Sequence, residues 1–171
     1  MSAHTDNQVV IAAPLELVWD VANDVERWPE LFAGEYAAAE VLERDADRVV
    51  FRLTTAAGPD GESHRWVSER CFDRQRRTVS ARRVEPGPFR YMHLFNSFTA
   101  VDGGTRLRWI QDFEARPDAP FTDEEMRRRI DAGSRVNLRR HKLVIEGMAA
   151  AAAGAAGAAA AGAAGVAGAR S

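Results

Sequence analysis

Cysteine is all but missing from this chain of 171 residues: Cys71 stands alone. A single thiol excludes an intramolecular disulfide and any metal centre built on paired cysteines, and a reducing cytoplasm is the default compartment. Lysine is as scarce, Lys142 being the only one, so almost all of the 23 basic residues are arginine. With 25 acidic residues the net charge is −2, and the footprint of a nucleic-acid binder is absent. So much arginine beside so much alanine and glycine looks like coding bias, and its abundance alone argues for nothing. The opening Met1-Ser2-Ala3-His4-Thr5-Asp6 lacks the charged and apolar regions of a signal peptide, so none is expected.

Beyond Met148 the sequence has little except alanine and glycine, with Val166 the only branched side chain. The run is long enough to span a bilayer, but alanine gains little from burial and glycine lowers helicity. The expectation is a frayed helix or a disordered extension over 149–171, with no membrane role. Residues 1–148 remain for one domain with a sizeable core.

Within that domain the hydrophobic period changes twice. A first strand over 7–12 leads to Pro14, which suits a first helical turn; Leu15, Val18, Trp19, Val21 and Ala22 then form a helical stripe. A second short helix is expected over 25–32, limited by Pro29. From Tyr36 the period becomes two, with strands expected over 37–42, 48–54, 62–72, 78–83, 89–100 and 105–113. Turn chemistry joins them, as in Gly58-Pro59-Asp60-Gly61 and Asp102-Gly103-Gly104. Tight turns between short strands mean an antiparallel meander. Thr122-Asp123-Glu124-Glu125 reads as a capping box, opening a helix from Asp123 to at least Met148. Its stripe includes Gly133, Asn137 and His141, polar or empty where the pattern asks for apolar. The predicted class is α+β: a seven-stranded antiparallel sheet curled around a long C-terminal helix, enclosing space that packing need not fill.

One strand stands out. In the stretch from His64 to Arg70, alternation puts His64, Trp66, Ser68 and Arg70 on one face. A guanidinium on a buried face is expensive unless something uses it. Arg70 is therefore expected to point into a cavity, the plain alternatives being a slipped register or a structural salt bridge.

Several stretches together resemble the polyketide aromatase/cyclases: His4-Thr5-Asp6-Asn7, Glu16-Leu17-Val18-Trp19-Asp20 and the run from Asn23 to Phe32. Trp66-Val67-Ser68-Glu69-Arg70, Arg83-Val84-Glu85-Pro86-Gly87-Pro88-Phe89 with Tyr91-Met92, and Arg108-Trp109-Ile110-Gln111-Asp112-Phe113 continue the likeness. It runs in order from about His4 to Glu146, with one apparent extra residue near Gly34. The resemblance implies a single-domain, START-like helix-grip enzyme of a bacterial type II polyketide synthase. It implies first-ring aldol cyclisation and aromatisation of a poly-β-ketone tethered to an acyl carrier protein, beside the minimal polyketide synthase, in the cytoplasm, with no cofactor and no metal. The alternative carried by the same fold is a binding protein or chaperone for a polyketide or other hydrophobic ligand.

The resemblance also distributes roles. Arg70 would carry the chemistry by holding a developing oxyanion, and Tyr36 would donate a proton to the departing hydroxyl. Asn137 would meet a keto oxygen, and Ser68 would orient Arg70 or a water. Trp28, Phe32, Trp66, Phe89 and Met92 would wall the pocket, and Arg83 would sit at its entrance near a phosphopantetheine phosphate. Trp19 and Trp109 read as structural. His64 and Asn96 stand where some family members carry inward tryptophans, which implies a wider or wetter pocket here.

Overall fold

The structure, a computed structural model, describes residues 2–167. Strand β1 (Ala3–Ile11) leads through Pro14 into α1 (Leu15–Asn23), a 3-10 turn (Val25–Arg27) and α2 (Trp28–Leu31). Six strands follow: β2 (Tyr36–Arg44), β3 (Arg48–Thr55), β4 (Arg65–Asp73), β5 (Thr78–Arg83), β6 (Phe89–Val101) and β7 (Gly104–Ala115), then helix α3 (Asp123–Ala167). The strands form one seven-stranded sheet in the order β1-β7-β6-β5-β4-β3-β2, antiparallel throughout. The first strand closes on the last because β1 pairs with β7 from Ala3–Phe113 to Ile11–Thr105.

Local chemistry accounts for the joints. At the β6–β7 hairpin, a Cβ on Gly104 would sit 2.0 Å from the Ile11 carbonyl oxygen, so only glycine fits there. The capping box forms as expected: Glu125 N–H donates to Thr122 Oγ1 at 3.2 Å, and Thr122 N–H donates back to Glu125 Oε2 at 2.8 Å. Most strand ends fall within two residues of the sequence reading, and two strand starts differ by three or more. β1 begins at Ala3, ahead of the expected strand, because β7 is long enough to pair with it. β4 begins at Arg65, leaving His64 exposed in the preceding loop, where its backbone pairs with Thr55.

Helix α3 lies in the grip of the sheet, with Leu138, His141 and Ile145 buried. It runs on as a helix through the alanine and glycine residues to Ala167, exposed over 150–163; residues 168–171 of the expected tail lie outside the described residues. By length and composition it is the one helix among the described residues that could cross a membrane. Two apolar clusters flank the grip. The larger joins Ile11, Val18, Trp19, Phe51, Leu107 and Ile145; the smaller joins Ala3, Phe89, Met92 and Phe113. Between them the interior is hollow.

Candidate functional site

The hollow is a cavity of about 660 Å³ between the concave face of the sheet and α3, within the roughly 300–1,000 Å³ of small-molecule sites. Its walls explain why it stays open. Ala22 and Ala81 are short, and Gly133 on α3 has nothing within 4 Å of where a Cβ would be. The remaining wall carries polar groups that cannot collapse onto one another without losing partners.

Arg70 occupies the middle of the sheet wall. Register places it between Val49 on β3 and Ala81 on β5, and it is 5 % exposed. Its Nη2 donates to Asn23 Oδ1 at 3.0 Å. In the amide orientation that satisfies both neighbours, Asn96 Oδ1 also accepts from Nη2 at 3.1 Å while Asn96 Nδ2 donates to the Phe95 carbonyl at 3.2 Å. The guanidinium carbon lies 5.3 Å from the centroid of the Trp28 ring. No carboxylate pairs with Arg70 among the described residues, and its Nε is buried without a partner. Burial lowers its pKa to about 10, the Tyr36 phenol acting in the opposite sense. Arg70 is thus a cation at neutral pH, held by neutral amides, with donors left over.

A second polar cluster stands where β2 begins. Tyr36 is stacked on Trp28 at 5.2 Å between centroids, and burial followed by the adjacent Glu35 carboxylate pushes its phenol well above its ordinary pKa. Glu35 itself is raised to about 7 by burial, which Tyr36, Arg140 and Asn137 only partly offset. Asn137 Nδ2 donates to Glu35 Oε1, and Arg140 Nη1 donates to Asn137 Oδ1 at 3.3 Å. The other carboxylate oxygen, Oε2, is buried without a partner. A carboxyl group that titrates near neutrality on a cavity wall can both take and return a proton.

Arg83 and His64 belong to the rim. The Arg83 guanidinium lies 4.0 Å over Trp66 and 5.0 Å from the Phe89 centroid. Burial lowers its pKa to about 10, and no carboxylate faces it among the described residues. Trp66 Nε1 donates to Ser68 Oγ at 3.0 Å, so Ser68 fixes the tryptophan plate and makes no hydrogen bond to Arg70.

Most of the residues singled out from the sequence meet at this cavity: Trp28, Tyr36, Trp66, Arg70, Asn96 and Asn137 all line it, as do His64, Ser68, Arg83, Phe89 and Met92. Phe32 does not. It is 2 % exposed behind the wall, stacked on the His141 ring at 4.0 Å, because the turn between α2 and β2 directs it into the core. Trp109, expected to be structural, faces the cavity with its ring edge-on to His141 at 5.1 Å. Asn137 finds its partners in Glu35 and Arg140. Sequence reasoning passed over Glu35, which sits in a turn with no period to reveal it, and Gln111, whose Nε2 donates to Ser134 Oγ at 2.7 Å. His141 was noticed as a polar break in the α3 stripe and given no role; it lines the cavity too.

A curled antiparallel sheet around a helix, with a largely apolar, partly polar cavity between them, defines a helix-grip domain with space for a small molecule. Residues 2–146 match the family model described as "Polyketide cyclase / dehydrase and lipid transport", and the chain belongs to that family. A candidate polyketide cyclase of Streptomyces cyaneus is 49 % identical over 138 residues, covering 81 % of this chain and 90 % of that one. The crystal structure of the Zhui aromatase/cyclase from Streptomyces sp. R1128 superposes with a TM-score of 0.71 at 27 % identity, over 87 % of this chain and 94 % of that one. A START superfamily protein from Mycobacterium smegmatis shares the fold at 16 % identity, with a TM-score of 0.63 over 85 % and 96 % of the two chains.

Proposed function

We propose that this polyketide cyclase is a cytoplasmic, cofactor-independent aromatase/cyclase that closes the first ring of a poly-β-ketone delivered on the acyl carrier protein of a type II minimal polyketide synthase. The observation that carries the reading is Arg70: a buried guanidinium with no counter-ion and an unpartnered Nε on the wall of a cavity. Such a group has nothing to stabilise in the empty protein. It acquires a partner when a ketone oxygen becomes an alkoxide.

The chemistry then needs only groups on these walls. The Glu35 carboxylate takes a proton from a methylene between two carbonyls, and the resulting carbanion attacks a ketone carbon further along the chain. One C–H bond breaks, one C–C bond forms, and the new alkoxide rests against Arg70 until Tyr36 or the protonated Glu35 returns the proton. Loss of that hydroxyl as water, with a second C–H proton, installs the ring double bond. No electrons are exchanged with any outside group. Arg83, unpaired at the rim, suits the phosphate of the phosphopantetheine arm.

The family description also names lipid transport, and the apolar part of the lining favours a carrier as the second reading. One experiment separates the two. Reconstituted minimal synthase is assayed with and without this protein, and the products are resolved by chromatography and mass spectrometry. A new first-ring aromatic product supports catalysis; an unchanged set of shunt products sinks it.

A further inference from the structure

Among the described residues, the buried groups that find no partner within the protein are of two kinds. Arg70 offers a donor, Nε, and Glu35 an acceptor, Oε2. A second acceptor comes from His141, a ring that the chemistry above does not use. Its Nδ1 lies 2.8 Å from the Asn137 carbonyl oxygen. A backbone carbonyl only accepts, so Nδ1 carries the proton and Nε2 presents a bare lone pair. Nε2 has no hydrogen-bond partner among the described residues, and the side chain is 3 % exposed and lines the cavity. Phe32, stacked on one face, and Trp109, edge-on, hold the ring in place. Burial lowers its pKa to about 4, and the Arg70 charge adds to the effect, so the ring is neutral at physiological pH.

A poly-β-ketone in its all-keto form carries only acceptors along the chain. It can satisfy Arg70, but on filling the cavity it covers the His141 Nε2 lone pair without pairing it and leaves Glu35 Oε2 unpaired as before, which is costly. An enol supplies what is missing when its O–H turns from its own β-carbonyl to the ring nitrogen, since the O–H then donates to Nε2 and the freed carbonyl accepts from Arg70. We propose that the cavity recognises its substrate as the enol tautomer of a β-dicarbonyl, with His141 Nε2 as an acceptor for the enol O–H. This rests on the polyketide reading above and names the tautomer that the site binds. It also separates this cavity from that of a carrier for acyl chains or other ligands without an acidic O–H.

The test uses two unreactive probes, 1,3-diphenylpropane-1,3-dione, which enolises, and its 2,2-dimethyl derivative, which cannot. Affinities are measured by calorimetry at neutral pH for the wild type, His141→Phe and His141→Gln. The wild type is expected to prefer the enolising probe by at least tenfold. His141→Phe, which keeps an aromatic ring against Phe32, should cut that preference to threefold or less. His141→Gln, which restores an acceptor, should recover most of it. Comparing variants cancels the extra bulk of the dimethyl probe. An undiminished preference in His141→Phe, or no binding of the enolising probe by wild type, overturns the proposal. Should His141→Phe fail to fold, the ¹⁵N resonance of Nε2 in labelled wild type decides. It should move toward its hydrogen-bonded position with the enolising probe only, and an unmoved resonance overturns the assignment. An active cyclase without the preference refutes this inference alone. A preference in a protein that forms no ring refutes the catalytic reading alone.

Discussion

Arg70 is held by Asn23 through a 3.0 Å hydrogen bond to a neutral amide oxygen, at a position where aspartate would have cancelled the charge. Asn23 cannot turn away, because its Nδ2 donates to the Trp19 carbonyl at 2.9 Å, one turn back on α1. The positive charge is thereby fixed in place and left unspent. Replacing Asn23 with Asp should neutralise the site and lower ring formation by at least about tenfold with the fold retained. Product yield and circular dichroism check this together, and full activity would remove the guanidinium from the mechanism.

The same isolation makes Arg70 costly to the fold. Burial lowers its pKa to about 10, a penalty of order 3 kcal/mol at about 1.4 kcal/mol for each tenfold change in acidity. Arg70→Met removes that cost but strands the Asn23 and Asn96 amides, at about 1–3 kcal/mol. The expected variant is inactive and melts at or above the wild-type temperature. A large drop in Tm would mean that the arginine is a structural strut.

Glu35 makes stability depend on pH. Its pKa is raised on folding from 4.5 to about 7, so the folded chain binds the proton more tightly than the unfolded one. The associated stability is present below about pH 4.5 and is lost as pH rises to about 7, up to about 3 kcal/mol. Glu35→Gln should flatten this slope in urea titrations between pH 5 and pH 8 and raise stability at the alkaline end. It should also remove any inflection near neutrality from the rate profile of ring formation. An unchanged slope would show that the carboxyl is solvated in solution.

Gly133 holds space that the helix would otherwise fill. An exposed glycine within a helix costs about 1 kcal/mol relative to alanine, and here nothing lies within 4 Å of a built Cβ. Gly133→Leu should therefore fold at least as well as wild type while shortening the cavity. Its expected signature is a shift toward products of shorter chains when synthases of different chain length are supplied. An unaltered chain-length profile would place the substrate on another side of the cavity.

Arg83 separates delivery from chemistry. With its guanidinium stacked over Trp66 and no carboxylate on it among the described residues, Arg83→Gln should raise KM for carrier-bound substrate several-fold and leave kcat within about twofold. An equal fall in both kcat and kcat/KM would move Arg83 into the reaction itself.

Periodicity determined a good deal of this protein. The alternation from Tyr36 onward, the capping box at Thr122 and the glycine turn at Gly104 each dictate local geometry, and the meander and long helix follow. The placement of Arg70, Trp66 and Ser68 on an inward face also follows, since side chains on a strand can point only two ways. Tertiary structure decided the rest. Only packing could show that Arg70 meets two asparagines distant in sequence in place of an acid, or that Glu35, in an irregular turn, is buried against Asn137 from α3. Phe32 and Trp109 exchanged their expected parts because wall and core are both apolar, and composition cannot tell them apart. His64 fell outside the strand because β4 began at Arg65, three residues later than expected, and it reaches the cavity from the loop at its rim. Burial and hydrogen-bond partnership are properties of the assembled sheet and helix, and the reactivity of these side chains arises from them.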